Sequence, residues 1–381
     1  MVEFALTEQQ EELRRVAREF AQKEIAPVAM HYDKSGEFPW EIYRKAYDVG
    51  LVNPSVPAEY GGGGLSALEC CLIVEELGAA CAGITTSIMV NDLGLMPILV
   101  GGSEEQKRNF LTPFCSSFHL AAFCLTEPGA GSDVAAMSTT AKLDGDSYIL
   151  NGTKTFITNG SVASLYTVFA TRDKRLHHKG IAGFIVPADT PGISRGKKFD
   201  KMGQRASDTA EVVFEDVRVP RANLLGRDDE GFKIAMVTLD RTRPMIAAMS
   251  VGLARAAMEA AIRYAKERQT FGVPIGHHQA VQLLLADMAK DIEAARLLTW
   301  QCAWLIDQGQ RATKESAFAK CFATDVAMRV TTDAVQIFGG YGYMKDLPLE
   351  KYMRDAKLMQ IYEGTNQIQR IVIARHLLGL A

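Results

Sequence analysis

The chain has 381 residues, 48% apolar and 23% charged, with a formal net charge of −3 and a pI near 6.2. That length suggests two or three packed units, and the composition is that of a soluble globular protein, not a disordered or fibrous one. The slightly acidic balance argues against a nucleic-acid surface, which would be visibly basic.

Met1 to Gln10 is acidic and polar without an apolar core, so no secretory signal is read there. Thr7 followed by Gln10 predicts a capping box, and Leu13, Val16 and Phe20 continue at helical spacing. Gly61 to Gly64 form a turn; they follow no strand, so they do not read as a phosphate loop. Leu72–Leu77 and Ile84–Val100 read as buried, mostly helical segments. The apolar run from Gly83 to Gly101 is interrupted by Asn91, Asp92, Gly94 and Pro97, which argues against a membrane span.

Around residue 118 the texture changes to short runs rich in β-branched and aromatic residues. Ser147–Leu150 and Lys154–Thr158 flank Asn151–Gly152 and predict a hairpin; Tyr166–Thr171, Ile181–Val186 and Glu211–Phe214 extend a small antiparallel barrel or sandwich. From Gly231 the pattern is helical again, with long periodic segments at Ile246–Arg268, Gln279–Gln308 and Thr313–Phe338 and a last helix from about Thr365 to Leu378. A di-iron centre in such a bundle needs a glutamate three residues before a histidine, and no histidine here has one. The expected architecture is α+β: an N-terminal helical domain (1–117), a central antiparallel β domain (118–228) and a C-terminal four-helix bundle (229–381). Seven cysteines, none in a C-x-x-C pair, read as buried small hydrophobes of a reducing compartment, and no metal site is expected. The protein is read as soluble and cytoplasmic.

Five motifs stand in order along nearly the whole chain: Leu125-Thr-Glu-Pro-Gly-Ala-Gly-Ser-Asp133, Met202-Gly-Gln-Arg205, Arg268-Gln-Thr-Phe-Gly272, Gln336-Ile-Phe-Gly-Gly340 and Tyr362-Glu-Gly-Thr365. With the α–β–α order, they resemble the acyl-CoA dehydrogenase family. The resemblance implies an FAD enzyme that desaturates an acyl-CoA thioester and passes electrons to an electron-transfer flavoprotein. It also implies a homo-oligomer, expected as a tetramer, with FAD bound across a subunit interface. Phe123, Leu125, Thr126, Gly131 and Ser132 resemble the flavin-binding turn, with Phe156 and Thr158 beside it and Ser132 also near substrate. Arg268, Thr270, Phe271, Gln279, Gln336 and Gly340 resemble residues that a neighbouring subunit lends to the FAD pyrophosphate and adenosine; a guanidinium suits phosphate because its planar donors bind bidentately. Thr365 and Gln367 complete the implied cofactor set. Asp240-Arg-Thr-Arg-Pro244 resembles the medium-chain branch, in which the Asp240 and Arg243 positions help hold pantetheine; Tyr362, Gly364 and Arg375 are further substrate candidates. Both arginines could equally be structural ion-pair residues.

Glu363 is the implied base. The α-proton of a thioester is weakly acidic, so the base must be ionised yet shielded from water. Read alone, a loop glutamate is a surface residue; the Tyr-Glu-Gly-Thr match gives it the catalytic role. Some relatives place the base on a bundle helix near Thr242, and a threonine cannot serve. Asp92 is unexpected in its apolar segment: an unpaired buried carboxylate is expensive, so it should be paired, protonated or functional. It reads either as a structural residue, capping a helix or bonded to Asn91, or as a second base opposite Glu363. In the latter case the substrate is a cyclic thioester such as cyclohexene-1-carboxyl-CoA, desaturated to a conjugated diene. An oxidase-like enzyme that passes electrons to oxygen, a straight-chain dehydrogenase and a nucleic-acid-binding or non-catalytic flavoprotein remain alternatives.

Overall fold

In the computed structural model, which describes residues 5–380, the first third of the chain folds as six helices. Met1–Phe4, part of the stretch read as lacking a secretory signal, lie outside the described residues, as does Ala381. The helices are α1 (Glu8–Phe20), α2 (Ala29–Ser35), α3 (Trp40–Asp48), α4 (Ala67–Ala80), α5 (Ala82–Gly101) and α6 (Glu104–Ser116). Reciprocal capping boxes start three of them: Thr7 with Gln10, Ser66 with Glu69 and Ser103 with Gln106. Each satisfies two backbone donors that the first turn leaves unpaired. Helix α5 is long and apolar enough to cross a membrane by composition, but 83% of its most apolar window is buried inside the protein. Its polar side chains are used as ties: Asn91 donates to Asn53 Oδ1 at 2.6 Å and accepts from the Ala121 N–H at 2.6 Å.

The middle of the chain forms one sheet from β1 (Ala121–Cys124), β2 (Thr140–Asp144), β3 (Ser147–Thr158), β4 (Leu165–Thr171), β5 (Ile181–Pro187), β6 (Ile193–Lys198), β7 (Thr209–Pro220) and β8 (Leu224–Leu225). Its order is β6-β7-β3-β2-β4-β5-β8, with β1 against β4. Pairing is mainly antiparallel, but β1 runs parallel to β4 and a single bridge, Thr140 to Thr171, joins β2 to β4 in parallel. The hairpin expected at Asn151–Gly152 is not there. Strand β3 runs straight through it, and the β2–β3 turn falls at Gly145 (φ +59°), where Asp144 pairs with Ser147. Asn151–Gly152 instead marks a register shift against β7. The Asn151 side chain donates to Asp216 Oδ1 and accepts from the Asp216 N–H, standing in for the interrupted ladder. Gly152 is required because a Cβ there would lie 2.4 Å from Thr139 Oγ1.

The remaining chain is helical: α7 (Gly231–Glu267), a two-stranded ribbon of β9 (Gln269–Thr270) and β10 (Val273–Pro274), then α8 (Gln279–Asp307), α9 (Thr313–Phe338), α10 (Leu349–Met359) and α11 (Asn366–Leu377). Helix α7 begins at Gly231, where the helical pattern was expected to return, runs through the periodic segment from Ile246 and carries Pro244 inside it. Helices α4 and α7 meet closely at Gly252, where a Cβ would lie 2.0 Å from the Glu75 carbonyl. Of the seven cysteines, all free, six are buried as expected and Cys115 is half-buried.

Candidate active site

The candidate site lies where α5, the sheet, α7 and the loop before α11 converge on a cavity of about 210 Å³. Phe123, Leu125, Thr126, Gly131, Ser132, Phe156 and Thr158 line its sheet side, and Tyr362, Glu363 and Gly364 close the other. On the sheet side, the Leu125–Thr126 turn rests on a buried ion pair. Lys154 donates to the Leu125 carbonyl at 3.0 Å and to Glu127 Oε1 at 2.8 Å, while Glu127 also accepts from Ser138 and from the Thr139 N–H. Burial opposes ionisation of Glu127, but the Lys154 charge and these donors outweigh it and hold the carboxyl well below its usual range. Phe156 sits at a second irregularity of β3 with φ +56°, uncommon for an aromatic residue. Its ring is 62% exposed and packs 4.9 Å from that of Phe199.

Glu363 also has a left-handed backbone (φ +50°), followed by Gly364 at φ +90°. Helix α10 ends at Met359, and Thr365 caps α11 by accepting from the Ile368 N–H, so Glu363 is presented on a short turn between two helix ends. Thr242 Oγ1 donates to Glu363 Oε2 at 2.9 Å. Arg243 donates to the Glu363 carbonyl at 3.2 Å and pairs with Asp240 at 2.6 Å. Burial pushes the Glu363 carboxyl up to about 6, against the Thr242 hydrogen bond and the charges of Arg243 and Lys320. A carboxylate with that value, facing a cavity, is mostly ionised at neutral pH and suited to accept a proton. Tyr362 is reached from the other domains: Thr86 donates to Gln204 Oε1 at 2.8 Å, and Gln204 Nε2 lies 3.4 Å from the Tyr362 hydroxyl. Gln204, from the Met202–Arg205 motif, thereby links α5 and the sheet to the loop that carries Glu363.

Other expected site residues lie elsewhere. Asp92 is 2% exposed and does not line the cavity. Its carboxylate accepts from the Ser55 hydroxyl and N–H, and burial pushes it up to about 6. The expected position opposite Glu363 is corrected: the helical twist of α5 turns Met89, Val90 and Leu93 to the cavity and Asp92 toward Ser55. Its partner is Ser55, not Asn91. Arg375 is exposed and bonded to the Leu380 carbonyl, away from the cavity. Asp240 acts behind the wall, through Arg243 and Thr313. Gln367 is exposed on α11. Arg268, Phe271, Gln279, Gln336 and Gly340 are exposed, Thr270 is half-buried, and none of them touches this cavity. The sequence reading missed the Met236, Leu239, Met245, Ile246 and Ile368 walls and the Lys320 and Gln369 supports behind the loop. The helical repeat Leu239–Thr242–Ile246 could have pointed to the wall of α7; nothing local marks the supports.

In this helical–sheet–helical chain a carboxylate stands at the wall of a cavity lined by hydroxyls, aromatic rings and glycine turns, an arrangement with room for a flat cofactor with polar edges. Descriptions of the acyl-CoA dehydrogenase N-terminal, middle and C-terminal domains match residues 7–117, 122–217 and 229–378. Short-chain specific acyl-CoA dehydrogenase, mitochondrial, of Bos taurus is 48% identical over 374 residues, 98% of this chain and 91% of that protein. Butyryl-CoA dehydrogenase from Megasphaera elsdenii superposes with a TM-score of 0.96 at 43% identity, covering 99% and 100% of the two chains. A chain solved in work on the electron transferring flavoprotein of Acidaminococcus fermentans superposes at 0.97 with 50% identity, covering 99% and 100%. The chain belongs to the acyl-CoA dehydrogenase family, whose members are FAD-dependent oxidoreductases. The named relatives are a short-chain specific and a butyryl-CoA dehydrogenase, not the medium-chain enzymes that the Asp240–Pro244 stretch was read as resembling.

The cavity fits the cofactor. A Cβ added at Gly131 would meet nothing within 4 Å, and Thr126, Ser132 and Thr158 place hydroxyls beside the apolar faces of Phe123 and Phe156. That mixture suits a flat ring with polar edges.

Proposed function

We propose that this chain is a short-chain acyl-CoA dehydrogenase in which Glu363 removes the α-proton of a butyryl-sized thioester. The observation that carries the reading is the Glu363 carboxylate itself: it faces the cavity, accepts from Thr242, and sits at about 6. When bound, FAD supplies the acceptor for the hydride that leaves the β-carbon. The chain's own residues do the rest. Thr242 fixes one oxygen of the base, leaving the other for the α-proton. Arg243 and Gln369 hold the Glu363 carbonyl and with it the left-handed turn, from which the Glu363 backbone N–H serves as a donor to the thioester oxygen as negative charge builds there. Met89, Met236, Met245 and Leu239 enclose the acyl end and exclude water. The cofactor turn is held by Lys154 and Glu127.

The short-chain assignment draws on the bovine and Megasphaera relatives. An electron-transfer flavoprotein as acceptor is supported by the Acidaminococcus likeness. A homotetramer in which Arg268, Thr270, Phe271, Gln279, Gln336 and Gly340 complete a neighbour's FAD site accords with the exposure of all but the half-buried Thr270; Phe271 is 96% exposed. The free, mostly buried cysteines suit a reducing cytoplasm. The test is anaerobic loss of the flavin's visible absorbance on adding butyryl-, octanoyl-, cyclohexanecarboxyl- or cyclohexene-1-carboxyl-CoA. Fastest bleaching by butyryl-CoA is expected; preference for the cyclohexene thioester would overturn the short-chain reading, and no bleaching by any thioester would overturn the assignment to acyl-CoA substrates.

A further inference from the structure

The turn that presents Glu363 uses two consecutive left-handed residues, one of them not glycine. Such a backbone persists only where its surroundings hold it. The two carbonyls of the turn are the handles. Glu363 O accepts from Arg243 and from Gln369, and Gly364 O accepts from Gln369 Nε2 at 3.1 Å and from Lys320 Nζ at 2.7 Å. Lys320 lies on α9 and is fully buried. Among the described residues its one other hydrogen bond is to Asn366 Oδ1 at 3.0 Å, and Asn366 is itself fixed by donating to Cys321 O, Thr324 Oγ1 and Asp325 Oδ1.

Buried lysines are nearly always paired with a carboxylate. The other two in this chain are: Lys154 with Glu127 and Lys351 with Asp355. Lys320 forms no ion pair among the described residues; it gives its hydrogens to a carbonyl and an amide. A neutral side chain could satisfy both acceptors, so the positive charge needs another reason. The Glu363 carboxylate, on the same turn as the carbonyl that Lys320 holds, supplies it.

We infer that Lys320 is a positioning residue for the base: its ammonium pins the Gly364 carbonyl and sets a positive charge behind the Glu363 carboxylate, keeping the base both aimed and ionised. This rests on the reading of Glu363 as the base. From α7 the carboxylate is faced by Arg243, whose charge is shared with Asp240, and from α9 by Lys320. Lys320 is faced by Glu363, by the like charge of Arg243, and by Cys321 and Asp325 on its own helix, the last already paired with Arg370 of α11. Burial pulls the Lys320 ammonium down to about 7, with the Glu363 charge working against that pull.

The experiment is the pH profile of kcat/KM for butyryl-CoA on FAD-loaded wild-type, Lys320→Gln, Lys320→Met and Lys320→Arg protein. In the two uncharged variants the acid limb should move up by about half a pH unit, an extra loss of roughly threefold at pH 5.5 relative to the plateau. Glutamine keeps a donor for the Gly364 carbonyl, so its plateau kcat should fall less than that of methionine, and arginine should restore the wild-type limb. If methionine does not fold, glutamine carries the test. An unmoved limb in the uncharged variants overturns the inference, whatever happens to the plateau. So does failure of both uncharged variants to fold, which would make the charge a requirement of the fold. Failure of the Glu363 reading would show separately, as a Glu363→Gln protein that keeps wild-type activity.

Discussion

Glu363 and Asp92 are carboxylates set among apolar side chains, and burial pushes both up to about 6. They differ in what they face. Glu363 stands on a left-handed turn at the cavity wall, with a threonine on one oxygen and cations behind it. Asp92 sits inside α5, 2% exposed, with Ser55 as its hydrogen-bond partner and no cation among its perturbing groups. A perturbed carboxyl is therefore not by itself a base; access to the cavity separates the two. Glu127 is a third case, buried like Asp92 but matched by Lys154 and held low.

The largest effect that would sharpen this contrast is on rate. Glu363→Gln should lower kcat for butyryl-CoA by about 10²–10⁴-fold, the usual contribution of a positioned general base, with FAD content unchanged in the visible spectrum. Wild-type activity should also decline as pH falls through about 6, because a raised carboxyl loses its charge there. Next in size is Lys154→Met, which strands Glu127 as a buried, unpaired charge. Thermal and denaturant unfolding should show a loss of about 3–5 kcal/mol, with weaker FAD retention because the Leu125 carbonyl loses its donor. Smallest and opposite in sign is Asp92→Asn. The folded-state pKa of Asp92 is raised, so keeping it ionised destabilises the protein above about pH 6, and that penalty fades as pH falls toward its unfolded value. The amide should therefore stabilise the protein by about 1–3 kcal/mol at pH 7 and by little at pH 4. Equal destabilisation at both pH values would mean that Asp92 has a partner of more consequence than Ser55.

Periodicity and capping made most helices legible in the sequence: Thr7, Thr313 and Thr365 fall at or within a residue of the observed starts. The Asn151–Gly152 expectation went astray because the same pair serves a hairpin or a bulge. Only the distant Asp216 and Thr139 decide between them. In the site, the Leu125–Ser132 turn and Glu363, which line one cavity, could be picked out as candidates because they lie in contiguous motifs. Asp92 was misplaced because composition reveals that a helix is buried but not which way each side chain turns. Helix α5 is buried almost all round, so no polar face marks its orientation. Lys320 and Gln369 escaped because they act through backbone carbonyls, which carry no sequence signature.

The decisive measurement is anaerobic single-turnover bleaching of the flavin by butyryl-CoA in Glu363→Gln and Asp92→Asn proteins side by side. Asp92→Asn should bleach at close to the wild-type rate, and Glu363→Gln should bleach at least about a hundredfold more slowly. Fast bleaching in Glu363→Gln together with its loss in Asp92→Asn would contradict the account and move the base to α5.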